Sequence, residues 1–260
     1  MCSGFDPALL ARIEDAGINA SAPAQQRWID GWLVRYSPGK AKRTRCIQAV
    51  ASGRMTVADK LAHCLPIYAA AHLRPYVRIT PFSLPEGLDD ALEAAGMERV
   101  DDTRVMVARE IATVLAANAG KLQERDATDA IDAAGFVDWI GAARGASAEE
   151  RRAHLDLVER SPVPHHALLL RDGAGTAVAG GQVVVEADIA GIYSVFTVES
   201  ARGRGHAGAV CLALLRCAAA KGARVAYLQV DAVNTGARKV YHRLGFADGY
   251  AYHYRTPPAG

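Results

Sequence analysis

Three strand-like runs between residues 166 and 198 follow one another too closely for any of them to lie parallel to the next. His166 to Arg171, Thr176 to Glu186 and Gly191 to Val198 are separated only by Asp172-Gly173-Ala174-Gly175 and Ala187-Asp188-Ile189-Ala190. A parallel pair needs a crossover of about a dozen residues, so these runs form an antiparallel meander. The pattern then changes. A glycine-rich segment leads into a helix from about Gly205 to Lys221, stopped by Gly222. Strand Val225 to Val230, helix Thr235 to Leu244 and a final strand Gly249 to Arg255 complete the chain.

The first half carries a similar series. A helical pattern runs from Pro7 to Ala16, and the runs Trp32 to Tyr36 and Arg43 to Val50 flank the turn signal Ser37-Pro38-Gly39-Lys40, predicting a hairpin. Thr56 caps a helix to about Ala71, and strand Pro75 to Thr80, helix Pro85 to Ala95 ending at Gly96, and strand Thr103 to Ala108 follow. Strand, helix, glycine and strand thus recur as Tyr76…Gly96…Val107 and as Val225…Gly245…Tyr254, which favours an internal duplication. Residues Glu110 to Asp129 are helix-prone but weakly patterned. A linker is expected over 113–129, dividing a unit at 1–112 from one at 130–260. The second unit opens with helical patterns at Ala130 to Ala142 and Ser147 to Glu159, the latter with a capping box of Ser147 and Glu150.

Two segments carry chemistry. Arg202-Gly203-Arg204-Gly205-His206-Ala207-Gly208 lies between a strand and a helix. Glycines let backbone approach a ligand, the helix start offers free N–H groups, and the arginines add positive charge, a combination suited to pyrophosphate. The same glycines spell a dinucleotide fingerprint, with Asp231 ending the next strand. A Rossmann half needs its glycines directly after a parallel strand, however, and here Glu199-Ser200-Ala201-Arg202 intervene after hairpin-linked strands. No GxxxxGK[ST] occurs, which excludes a phosphate-loop NTPase. The second segment is Asn234-Thr-Gly-Ala237-Arg-Lys-Val-Tyr241-His-Arg-Leu-Gly245-Phe246. Asn234 is a natural N-cap and Gly245 a natural C′ residue, and Asn234, Ala237 and Tyr241 share one helix face.

Together the segments resemble the GCN5-related N-acetyltransferase (GNAT) superfamily. Its phosphate loop, [Q/R]-x-x-G-x-[G/A], is matched by Arg202, Gly205 and Ala207, and its later N-x-x-A-x-x-x-Y-x-x-x-G-F helix by Asn234, Ala237, Tyr241, Gly245 and Phe246. The resemblance spans roughly residues 130 to 256. It implies an α/β fold with a central mixed, mostly antiparallel (α+β) sheet flanked by helices, in two tandem GNAT-like domains with the catalytic one second. It further implies acetyl-CoA as acyl donor and a primary amine, on a small molecule or a protein, as acceptor. Backbone of Val195, Phe196 and Thr197 would pair with the pantetheine arm, and the amides of Gly203, Arg204, Gly205, His206, Ala207 and Gly208, with Arg202, would hold the pyrophosphate. Tyr241 would protonate the departing thiolate, and Asn234 would bridge the cofactor arm or fix the helix start.

The general base stays open. Histone-type relatives carry a glutamate at a strand position occupied here by Gly191, and Glu199, Asp188, Asp231, Tyr193 and His253 all stand as alternatives, as does a water chain. A non-enzymatic acyl-CoA sensor is the rival reading, with an NAD-binding protein a more distant one. In the first half, the tyrosine and asparagine positions hold Leu92 and Pro85, and Ala51-Ser52-Gly53-Arg54-Met55-Thr56 lacks the phosphate-loop pattern, so no second acetyl-CoA is expected. The Trp28, Trp32, Arg35 and Tyr36 cluster reads as packing before cleft lining.

Composition bounds the partners. Thirty basic and 28 acidic residues give a net charge of +2, and the basic residues are scattered, which argues against nucleic acid. The five cysteines form no CxxC pair and read as reduced core thiols. Histidine and cysteine spacing supports no metal. Met1-Cys2-Ser3-Gly4 is followed by no apolar run of signal or membrane-spanning length, so a soluble cytoplasmic protein is expected. Oligomeric state is not legible.

Overall fold

Where each half's last strand goes decides the architecture. The computed structural model describes residues 4–121 and 128–258. In chain order the elements are α1 (Pro7–Asn19), β1 (Gln26–Ile29), β2 (Trp32–Arg35), β3 (Ile47–Ala49), α2 (Val57–Ala70), β4 (Val77–Ile79), α3 (Leu88–Ala94) and β5 (Glu98–Ala108). After α4 (Ile111–Ala117) come β6 (Thr128–Ile131), α5 (Ala133–Ala143), α6 (Ala148–Glu159), β7 (His165–Arg171), β8 (Ala177–Glu186) and β9 (Ile189–Thr197). The chain finishes with α7 (His206–Ala220), β10 (Val225–Asp231), α8 (Thr235–Leu244) and β11 (Ala247–Thr256). Residues 122–127, within the expected linker, and Met1 to Ser3 lie outside the described residues.

The eleven strands of the described residues join one mixed sheet in the order β1-β2-β3-β4-β11-β5-β10-β9-β8-β7-β6. Only β3 with β4 and β9 with β10 run parallel; the other neighbours are antiparallel. The last strands are exchanged. β5, from the first half, pairs with β10 of the second, while β11 pairs with β4 of the first, and β5 and β11 pair with each other at the centre. Helix α1 packs across this junction through Leu10 and Ile13, joining Val105, Val107, Tyr227 and Tyr250 in one core. Its buried Glu14 ion-pairs with Arg78 of β4 and accepts a hydrogen bond from Tyr250 Oη of β11 at 2.6 Å. A buried pair so arranged stabilises chiefly because neither charge can be left alone there.

The meander β7-β8-β9 is antiparallel, and Thr56, Ser147 and Asn234 cap their helices through their side chains. The capping box of Ser147 and Glu150 is complete. Two strands escape the periodicity argument. β1 is four residues long and turns back through Asp30 (φ 41°) and Gly31 (φ 84°), a two-residue hairpin turn too short to leave a pattern. β6 occupies 128–131, where the helix was expected to be starting, and its edge pairing with β7 is a long-range event. The tryptophan cluster divides. Trp32 and Arg35 are fully buried, with Trp32 in the first half's own core, whereas Trp28 is 62% exposed.

His165, at the start of β7, ties the halves together. Its Nε2–H donates to the carbonyl of Ala20 at 3.2 Å, and its Nδ1 is buried without a partner. Burial pushes its pKa down to about 4. Above pH 6.5 the ring is neutral in folded and unfolded chains alike; between pH 6.5 and 4 only the unfolded chain takes up the proton, so stability falls as pH falls. Allowing for partial exposure, acidification from pH 7 to 4 is expected to remove about 2 kcal/mol through this residue. His165→Gln should flatten that part of the profile in denaturant melts across pH.

Candidate active site

The parallel pair β9 and β10 does not stay together. Its register runs from Ile189 opposite Val225 to Ile192 opposite Leu228 and stops there. Beyond that point each strand keeps its outer neighbour. Tyr193, Phe196 and Thr197 pair with Gln182, Gly180 and Ala179 of β8, and Gln229, Val230 and Asp231 pair with Val105, Arg104 and Thr103 of β5. The inner edges therefore face each other across a gap, no longer paired with one another. A β-bulge opens the gap: Ser194 and Val195 of β9 lie opposite the single Gly181 of β8, and Ser194 takes φ 53°. Opposite the bulge lies Gly181, where a Cβ would sit 2.9 Å from Leu214 Cδ1, so α7 presses directly on the sheet.

The gap opens into a cavity of about 750 Å³. Ile192 to Val195 and Leu228 to Asp231 form its floor, and Asn234, Ala237 and Tyr241 contribute the face of α8. The roof comes from elsewhere. Glu150, His154 and Leu157 on α6 sit at helical spacing, Ile140 comes from α5 and Arg144 from just past its end, and Gln25, Ser37 and Arg43 from the first half. Tyr241 is 9% exposed and packs edge-on against Phe246; burial pushes its phenol pKa up, so it holds its proton at neutral pH. Asn234 Oδ1 accepts from the amide of Ala237 at 3.1 Å, which commits the oxygen to the cap and leaves the amide nitrogen available.

The glycine loop lies past the far end of β9. After a 3-10 turn at Glu199–Ala201, Gly203 (φ 78°) and Gly205 (φ 85°) adopt the left-handed conformation, and α7 starts at His206 with no side-chain cap. A Cβ at either glycine would meet nothing within 4 Å, so the loop's backbone faces open space. Arg202 Nε donates to the carbonyl of Thr197 at 3.4 Å, and Arg204 is exposed. Thr197 Oγ1 and His206 Nδ1 are buried polar atoms without a partner. Phe196 meets Trp139 edge-on and has the guanidinium of Arg144 over its ring. Val195, Asn234 and Tyr241 thus line the cavity itself, while Phe196, Thr197 and Arg202 to Gly208 continue away from it. An uncapped helix start and unpaired strand edges are what a long, anion-ended thioester would need.

The five candidate bases separate. Asp188 is held by Arg12 at the β8–β9 turn, and His253 Nε2 lies 2.9 Å from Asp89 on the first half's side of the sheet. Glu199 does not line the cavity; Asp231 and Tyr193 do. Tyr193 shares a short hydrogen bond with Tyr227, and burial raises its pKa. Among the described residues no group of three or more His, Cys, Asp or Glu side chains converges, and no helix is long and apolar enough to cross a membrane. The first half's counterpart of the loop is filled from within. There Asp30 accepts from the amides of Arg54 and Met55 at 2.7–2.9 Å and pairs with the buried Lys60.

The roof residues went unread in the sequence. His154, whose pKa is lowered by burial and by Arg144, stands on a helix legible only as a capped polar helix, and nothing linear joins Arg43 to Gln229. Gly191 shows why its position holds no glutamate: a Cβ there would lie 2.6 Å from both Tyr193 and the Tyr227 hydroxyl. Gly191→Ala should therefore destabilise the protein by about 1–3 kcal/mol, read as a lower midpoint in chemical denaturation.

The chain is similar to known proteins over most of its length. The family model described as "Probable histone acetyltransferase Rv0428c C-terminal" matches residues 9–255. The uncharacterized N-acetyltransferase YobR of Bacillus subtilis (strain 168) is 26% identical over 237 residues, covering 91% of this chain and 94% of its own. Among solved structures, a GCN5-related N-acetyltransferase from Kribbella flavida superposes with a TM-score of 0.70 at 18% identity, covering 99% of this chain and 98% of that one. A tandem GNAT protein from the clavulanic acid biosynthesis pathway superposes with a TM-score of 0.62 at 13% identity, covering 78% and 70%.

Proposed function

The chain belongs to this acetyltransferase family of the GNAT superfamily, and from that premise we propose that it transfers acetyl from acetyl-CoA to a primary amine by direct attack in the gap between β9 and β10. The observation that carries the reading is the parting of the two strands beside a buried, protonated Tyr241, with an uncapped helix start one strand-length away. Pantetheine adds along the free edge at Val195, Phe196 and Thr197 as a surrogate strand. Amides of Gly203, Arg204, Gly205, His206, Ala207 and Gly208 take the pyrophosphate, with Arg202 beside them. The Asn234 amide nitrogen is free to bridge the arm.

The neutral amine attacks the thioester carbonyl, whose oxygen is polarised by an amide of the splayed strand. As the C–S bond breaks, Tyr241 gives its proton to the sulfur; a thiol pKa of about 8.5 makes this assistance modest. The amine's proton leaves through water in the cavity, past the lining carboxylate of Asp231, and water returns a proton to the Tyr241 phenolate, so one proton lost by the amine balances the one gained by the sulfur. On this reading 130–260 is the catalytic unit and 1–112 a degenerate copy. In the copy, Asp30 already satisfies amides that would otherwise face a phosphate, and Leu92 is a core residue. The acyl-CoA sensor reading differs in one respect only, the absence of turnover.

Calorimetry is expected to give one acetyl-CoA site per chain and no NADH binding, with thiol release against an amine panel. Gly205→Val, which forces a branched side chain into φ 85°, should abolish binding while the rest of the fold melts as before. Tyr241→Phe should lower kcat by about 10²-fold with acetyl-CoA affinity nearly intact. Binding without turnover of any amine would identify a sensor.

A further inference from the structure

Among the described residues Arg43 has no carboxylate partner. It sits in the 3-10 turn Lys42–Thr44 ahead of β3 and reaches across to the second half, where its Nη1 donates to Gln229 Oε1 at 2.6 Å and its guanidinium carbon lies 5.5 Å from the ring centre of Tyr193. Gln229 and Tyr193 are the first residues beyond the last paired residues of β10 and β9, so Arg43 stands at the apex of the gap. It lines the cavity, and among the described residues no carboxylate pairs with it. Its neighbours differ: Arg78 is neutralised by Glu14 and Lys42 by Asp101. A guanidinium has five N–H donors, and one here goes to a neutral amide. A cation withdrawn from water without an anion is costly, and the missing anion has room to arrive from the cavity.

The donor's phosphates are the wrong anion. Tyr193 and Thr197 are separated by four residues of strand, about 13 Å, and the glycine loop lies beyond Thr197. A donor anchored at that loop presents its acyl end, not its phosphates, to the apex. The rest of the lining leans the same way. Lys40 is paired with Glu150, which leaves Arg43, Arg144, Arg151 and Arg160 against Asp156 and Asp231.

We infer that Arg43 anchors a carboxylate carried by the acceptor, so that the preferred acceptors are small amino-carboxylates. The inference rests on the acetyl-transfer reading for its chemistry. The planar fork of Arg43 suits bidentate capture of a carboxylate, which holds the amine at the apex. The same fixed cation disfavours a protonated amine close to it, which keeps the nucleophile neutral where Gly191 leaves no room for a strand glutamate. Arg43 acts by positioning and specificity; it exchanges no proton.

Matched amines test it. Wild-type protein with acetyl-CoA should favour glycine over methylamine and L-lysine over 1,5-diaminopentane by about tenfold or more in kcat/KM. Arg43→Met should bring each ratio to within about twofold, through KM for the carboxylate-bearing partner and with acetyl-CoA affinity retained, while Arg43→Lys keeps part of the preference. Equal rates within each pair for wild type, a preference that survives in folded Arg43→Met, or faster transfer to a lysine-rich peptide than to any amino acid would overturn the assignment. A binding comparison covers a misfolded variant or a failed acetyl-transfer reading. N-acetylglycine should bind wild-type protein about tenfold more tightly than N-acetylglycinamide in calorimetry, without any turnover. Equal affinities there would overturn the anchor even in an active enzyme, whereas a clear difference in a protein that ignores acetyl-CoA would keep the anchor and discard the donor.

Discussion

The pairing of β5 with β10 holds the molecule in its working shape. Six register pairs, from Ala226 opposite Ala108 to Asp231 opposite Thr103, fix β10 from its outer side along its length. β10 can therefore lose its inner partner after Leu228 and still be a strand. A parallel strand released on both edges would leave its amides and carbonyls without partners and would not persist in a folded core. The gap is thus stable because the first half supplies the strand that braces it. The bulge at Ser194 makes the same provision on the other side, since β9 departs from β10 while remaining bonded to β8.

Strand exchange has a second consequence. With β11 bonded to β4 and β5 to β10, the halves cannot separate without breaking the centre of the sheet. The first half is then held rigidly enough over the second for a single arginine turn to reach Gln229 across the cavity. The buried Glu14–Arg78 pair and the Tyr250 hydroxyl lie on α1, β4 and β11, so they lock the same junction from above. Neutral His165 adds a contact between β7 and the end of α1.

The two halves repeat a framework while treating it differently. Each has a parallel pair and then a helix, α3 or α8, followed by a left-handed glycine, Gly96 or Gly245. In the second, the loop before α7 presents open glycine backbone to solvent. In the first, a carboxylate from the β1–β2 turn fills the corresponding place and binds the amides itself. An internal anion satisfies the same N–H groups that an external one would, and a satisfied helix start exerts little pull on a ligand.

Much of this was legible in the residues themselves. Short links dictated the antiparallel meander, because a connection of two to five residues cannot cross a sheet. Asn234 and Gly245 set the ends of α8 through local hydrogen bonds and a left-handed φ, and the glycines around Gly205 marked a helix start open to an anion. Such features are written within a few residues of one another, so they survive without the rest of the fold. Tertiary structure alone decided the exchange of β5 and β11, the edge strand β6, and the roof of the cavity. Partners such as Arg43 and Gln229 lie 186 residues apart. Their meeting depends on which strands the sheet brings together, and strand choice is settled by the whole of the packed core, which no local run of sequence carries.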